Sequence, residues 1–136
     1  MALDYGQSRI GVAVSDELGL MAHPRAFIPA KPPGRALRFI KAQVAEESIA
    51  VVLIGLPLNM DGSEGLSARR ARKFAAEVES AAGVQIQFVD ERLTTKAAQG
   101  LLHAAGRKER DSRAFIDSAS AAVILQGWLD SKRTEM

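Results

Sequence analysis

The chain contains no cysteine, only two histidines, and few aromatic side chains: one tryptophan, one tyrosine and five phenylalanines in 136 residues. Without cysteine there is no disulfide, no thiol nucleophile and no thiolate-bound zinc or iron–sulfur cluster. His23 and His103 match no metal-ligand spacing, so a zinc site would need carboxylates as well. Long apolar runs are missing too. The longest, Ile49–Ile54, is far short of the ~20 residues that cross a bilayer. Neither a basic nor an apolar leader region stands before Asp4, so no signal peptide and no membrane partner are expected, and a cytoplasmic location is.

What is present is ordinary globular composition, 47% hydrophobic and 25% charged, in a length that suits one domain over residues 1–136. The net charge of +2 does not by itself name a nucleic-acid partner. Its placement says more. Lys31, Arg35, Arg38 and Lys41 form one basic cluster, Arg69, Arg70, Arg72 and Lys73 a second, and Arg107, Lys108, Arg110 and Arg113 a third. Helix surfaces also carry such residues for solubility alone.

Periodicity predicts the order β-β-β-α-β-α-β-α-α. Ala2–Asp4, Arg9–Val14 and Arg25–Ile28 read as strands joined by short turns. Leu37, Ile40 and Val44 mark a helix over Arg35–Glu47, and Ala71, Phe74, Ala75, Val78 and Ala82 a second over Ser67–Ala82. Ile49–Ile54 is apolar throughout, as in a strand buried on both faces, and Val84–Val89 is the last strand. Thr94 or Thr95 can cap a short helix to about Ala104. A charged loop over Ala105–Asp111 precedes a final helix over Ser112–Asp130. This order gives a mixed α/β sheet with helices on both faces.

With no thiol and no histidine pair, chemistry falls to carboxylates, hydroxyls and backbone amides. Three acidic positions stand out. Asp4 ends the first strand, Asp90 and Glu91 end the last, and Asp117 lies in line with Ala121, Ile124 and Trp128 on the final helix. A carboxylate on an apolar stripe needs a cation or donors to meet it. Each has a plainer explanation, as a turn residue, a helix cap or a hydrated margin. Together they suit a divalent cation, since Mg²⁺ and Mn²⁺ take oxygen ligands. Asp90 and Glu91 point to opposite faces of an extended strand, so at most one is a ligand, and the pattern does not choose between them.

The segments Leu3-Asp4-Tyr5-Gly6, Arg9-Ile10-Gly11-Val12-Ala13, Gly55-Leu56-Pro57-Leu58-Asn59-Met60-Asp61-Gly62-Ser63, Asp90-Glu91-Arg92-Leu93-Thr94-Thr95 and Ile116-Asp117, with Ile124-Leu125-Gln126 beyond, resemble the YqgF/RuvX family. Its members are described as nucleases of the 16S rRNA precursor, or as Holliday-junction-resolvase-like proteins, with a ribonuclease-H-like fold. The resemblance implies a five-stranded sheet of order 3-2-1-4-5 and an acidic triad, Asp4, Glu91 and Asp117, that holds Mg²⁺ or Mn²⁺. Arg92, Thr94 and Thr95 stand at the same rim and can hold a phosphate, the threonines through hydroxyls and helix-start amides. Arg9 and Asn59 are further candidates for substrate contact, although Asn59-Met60-Asp61-Gly62-Ser63 is also ordinary turn chemistry. In that order the strand ending at Gly55 lies between those ending at Asp4 and Glu91, and a glycine leaves the gap open. Two features depart from the family. Only three residues precede Asp4, so a longer natural start is expected, and Ser8 stands where a basic residue is common.

The expected function is divalent-metal-dependent hydrolysis of RNA, with pre-rRNA as substrate, free or on a ribosomal particle, by a monomer or homodimer. The few aromatic residues favour recognition of shape and backbone over base stacking. Two alternatives compete: a resolvase of branched DNA, which would pair two active sites in a dimer, and a nucleic-acid-binding factor without catalysis. An actin-like ATPase ranks last, because so short a chain leaves little room for two lobes.

Overall fold

The computed structural model describes residues 1–91 and 109–134, with side chains over 1–91 and 118–132. Its elements are β1 (Ala2–Tyr5), β2 (Arg9–Ser15), β3 (Ala22–Pro29), α1 (Pro33–Glu46), β4 (Val51–Leu56), α2 (Leu66–Ala82), β5 (Gln85–Asp90) and α3 (Glu109–Thr134). The strands form one sheet of order β3-β2-β1-β4-β5. β1 runs antiparallel to β2, and β2 to β3, while β4 lies parallel to both β1 and β5. This is the order that the family resemblance implies.

Alternation along the strands sorts side chains into two cores. Leu3, Ile10, Val12, Val52 and Ile54 pack on one face with Ala36 and Ile40 of α1 and Phe74 and Val78 of α2. Ala2, Ala13 and Leu53 face the other way, against Ala121, Ile124, Leu125 and Leu129 of α3. Each fully buried branched side chain, such as Ile40 or Val78, contributes about 1.5–3 kcal/mol. The helices therefore cover both faces, and the apolar run of β4 is explained by burial on both sides. α2 stops at Gly83, whose φ of +61° places it in the left-handed region while its N–H donates to the Glu79 carbonyl at 2.9 Å.

Several boundaries differ from the pattern reading, β4 among them, which covers Val51–Leu56 in place of Ile49–Ile54. β3 starts at Ala22 and carries Pro24 and Pro29, which an edge strand tolerates because its outer N–H groups need no partner. α3 starts by Glu109, so the charged stretch Glu109-Arg110-Asp111 is helix and not loop. Charge does not end a helix, and the nearest breaker is Gly106. The short helix expected between Thr94 and Ala104 lies outside the described residues.

α3 is fastened to the sheet by polar bonds as well as apolar ones. The register of β2 on β3 shifts between Ile10 and Val12. There the Val12 N–H donates to Ser118 Oγ at 3.0 Å, and Ser118 is completely buried. Farther along, Gln126 accepts from the Ala22 N–H at 2.8 Å and donates to the Leu20 carbonyl at 3.0 Å. Trp128 Nε1 donates to Gln87 Oε1 at 3.1 Å. Ser118→Ala leaves a buried N–H without its acceptor, at a cost of about 1–3 kcal/mol. The expected result is a lower urea midpoint with an unchanged slope; an unchanged midpoint contradicts the role of this bond.

Candidate active site

Two carboxyl groups meet where three parallel strands end. Asp4 shares the face of Ala2, since side chains two apart on a strand point the same way, and that face belongs to the α3 layer. By the same rule Gly55 follows Leu53, and Glu91 follows Gln87 and Val89. Asp90 is on the opposite row with Ile86, which packs on the α1–α2 side. Of the two neighbouring acids, Glu91 is therefore the one that faces Asp4.

Glu91 continues the line of β5, with its N–H donating to the Leu56 carbonyl at 3.2 Å. Its side chain then lies across Gly55. A Cβ built on that glycine would stand only 2.6 Å from Glu91 Cδ and 2.7 Å from Cγ, so any other residue would displace the carboxyl. Glu91 Oε1 is buried, and no hydrogen-bond donor among the described residues reaches that atom; the carboxyl group does share a hydrogen bond with Asp4. Burial, the bond to Asp4 and the charges of Asp4 and Asp90 push the Glu91 pKa up to about 9. The metal-free pair therefore holds a proton at neutral pH, because two carboxylates this close resist ionising together.

The other expected residues divide by location. Arg9 opens β2 opposite Pro29, beyond the Tyr5–Ile10 pair and so at the same rim as Asp4. Its guanidinium lies 4.9 Å from the Phe27 ring centre. Asn59 sits in the loop after β4, where its Nδ2 donates to Ser63 Oγ at 3.0 Å and its N–H to the Ser63 carbonyl. Asp61 accepts from Ser63 N–H and Oγ, so this loop is held by turn chemistry. Asp117 falls in α3 one turn before Ala121, and its side chain lies outside the described residues, as do Arg92, Thr94 and Thr95. Among the described residues no three histidine or acidic side chains form a metal-sized group. Sequence reasoning missed Ser118, whose only signal was a small polar residue inside an alanine-rich helix face.

Two carboxyl groups within hydrogen-bonding reach of each other form, among the described residues, an all-oxygen donor set. That set fits a hard divalent cation, which would replace the shared proton.

A sheet of this order and these strand directions, with helices on both faces, is the ribonuclease-H-like architecture. Among solved structures, Thermus thermophilus RuvC in complex with a Holliday junction substrate aligns with a TM-score of 0.62 at 16% identity, over 96% of this chain and 93% of that one. A second Thermus thermophilus RuvC structure aligns with a TM-score of 0.57 at 15% identity, over 97% and 94%. The likeness establishes the fold. The family model RuvX, described as Holliday junction resolvase, matches residues 1–131, and the chain belongs to that family. A relative from Anaeromyxobacter sp. (strain Fw109-5), named for pre-16S rRNA nuclease activity, is 43% identical over 97% of this chain and 96% of its own length. Another of the same name, from Chloroflexus aurantiacus (strain ATCC 29366 / DSM 635 / J-10-fl), is 41% identical over 98% and 88%. The chain is a nuclease: its substrate is a nucleic acid, and its family implies a divalent cation. No helix among the described residues is long and apolar enough to cross a membrane.

Proposed function

We propose that this nuclease hydrolyses phosphodiester bonds of RNA in maturation of the 16S rRNA precursor, with Mg²⁺ or Mn²⁺ held by Asp4, Glu91 and Asp117. The observation that carries the reading is the Asp4–Glu91 pair, two carboxyls forced to share a hydrogen bond over a glycine floor. The names of the relatives support RNA as substrate. When bound, the cation supplies the charge that acidifies water and neutralises phosphoryl oxygens. Asp4 and Glu91 hold it from the ends of β1 and β5, and Asp117 completes the set from α3. Gly55 keeps the space between the strands clear. Arg9 meets a substrate phosphate from the β2 side of the rim, and Asn59 from the β4 loop. Arg92, Thr94 and Thr95 serve the same end beyond β5. No covalent enzyme intermediate is needed. We place the enzyme in the cytoplasm, as a monomer or homodimer, acting on free precursor or on a ribosomal particle.

A second reading, cleavage of branched DNA, is favoured by the description of the matching family and by the junction-bound RuvC structure. It requires two active sites and hence a stable dimer.

The test is cleavage of end-labelled RNA and of a four-way DNA junction, with Mg²⁺, Mn²⁺ or chelator. RNA cleavage that needs the metal and falls by about 100-fold to 1,000-fold or more in Asp4→Asn and in Asp117→Asn is expected. Cleavage of the junction alone would replace RNA by DNA. Binding without cleavage of either substrate, unaffected by the substitutions, would leave a non-catalytic binding factor.

A further inference from the structure

The chemistry proposed above uses one face of the sheet, yet one member of the first basic cluster and two of the second share a cleft on the other. It encloses about 360 Å³ and is bordered by the β1–β2 turn, the start of α1 and one side of α2. Lys31, Arg70 and Lys73 line it, with Tyr5 and Phe74 behind them and Glu77 as its single carboxylate. The Tyr5 and Phe74 rings stack at 4.6 Å, inclined by 17°. Helical spacing selects which cations enter. Arg70, Lys73 and Glu77 are three and four residues apart and share one side of α2. Arg72 turns away to bond Glu64 at 2.6 Å and lie 4.8 Å from the Phe88 ring centre. Arg70 rests against the Gln7 amide, its Nε 3.2 Å from the oxygen in the orientation that satisfies both groups. Among the described residues no carboxylate forms an ion pair with Lys31, Arg70 or Lys73. The start of α1 also borders the cleft, with no side-chain cap and no acidic residue in its first turn, which adds to the positive field.

We propose that this cleft binds the phosphodiester backbone of the single-stranded substrate segment next to the bond being cut. The proposal rests on the nuclease reading of Asp4 and Glu91, since that fixes where the strand begins. Asp4 and Tyr5 are consecutive and point to opposite faces of the same sheet rim. A strand held at the carboxyl pair therefore passes over the Gly6-Gln7 turn and reaches Arg70, Lys31 and Lys73. The lining offers cations and an apolar floor, so it grips phosphate and reads no sequence. Solubility would be served equally by cations spread around both helices; Lys31 from the segment before α1, gathered with Arg70 and Lys73 of α2 in one concavity, forms a polyanion site.

The test is fluorescence anisotropy with a labelled single-stranded RNA of about 12 nucleotides, within the usual site sizes, in chelator and over a range of salt. Each phosphate contact to a single strand adds about −0.7 to the slope of log affinity against log salt. Lys31→Ala/Arg70→Ala/Lys73→Ala is expected to make that slope shallower by about 2 and to weaken binding at least tenfold at low salt. Glu77→Gln, in the same cleft, is expected to tighten binding about twofold, a gain that misfolding cannot mimic. Arg38→Ala/Lys41→Ala, on α1 away from the lining, is expected to leave the slope within experimental error. An unchanged slope in the triple variant overturns the proposal, and so does an equal loss per charge in the α1 control. RNA bound in this way but never cut would remove the nuclease role of the carboxyls and leave the cleft standing. Metal-dependent cleavage with a salt slope indifferent to the cleft would do the reverse.

Discussion

Gly55→Leu is expected to abolish cleavage while the sheet still folds, and Gly55→Ala to do most of the same damage. The reason is distance. The first atom of any side chain at this position would fall on the Glu91 carboxyl and within 2.7 Å of its Cγ. Glu91 must then rotate away from Asp4, and the pair no longer presents its oxygens to one point. A displacement of about 1 Å at reacting groups typically costs about 100-fold in rate, so a loss of that size or more is expected for alanine. The strand itself has no objection. Alanine removes the backbone freedom of glycine, worth roughly 0.5–1 kcal/mol in a strand, and leucine adds overpacking of about 1–3 kcal/mol. Both variants should keep a native circular dichroism spectrum and a cooperative melt. Full activity in Gly55→Ala would mean that Glu91 does not work from the position it occupies here.

Glu91→Gln is expected to lose cleavage and gain stability, with the gain dependent on pH. In the folded protein the Glu91 pKa is about 9, against an ordinary value of 4.5. Between those values the native state holds a proton that the unfolded chain has released. Stability from this group is fully present below about pH 4.5 and is lost as pH rises through about 9. Glutamine is neutral throughout and can still donate to Asp4, so it escapes that loss. The variant should match the parent near pH 4 and exceed it at pH 8 by about 1–2 kcal/mol in metal-free buffer, the usual scale of such gains at functional sites. Denaturant melts at the two pH values measure this. A divalent cation that replaces the proton should raise the parent's melting temperature at pH 8 and leave Glu91→Gln nearly unmoved. Parallel stability curves for parent and variant would rule out the strained pair.

Much of the fold was legible because burial leaves a period. The helical stripe of Leu37, Ile40 and Val44 and the unbroken apolar run of β4 each follow from the layers they face. Local chemistry was less legible where polar residues are buried. Gln87 faces the α3 layer because Trp128 Nε1 donates to it, and this hides the alternation of β5 that would have separated Glu91 from Asp90. Ser118 satisfies a β2 amide 106 positions away along the chain, a pairing that no local pattern announces.

The order of the described strands and helices, the acidic candidates and the family motifs were all present in the sequence, since composition, spacing and motif are local properties. The tertiary structure alone decided which face each acid takes, because a strand sends neighbours to opposite sides and only packing against α3 says which side is which. It also decided that Asp4 and Glu91 touch over Gly55, and that Lys31 joins Arg70 and Lys73. Those groups lie far apart along the chain, and the parallel crossovers of the sheet bring them together.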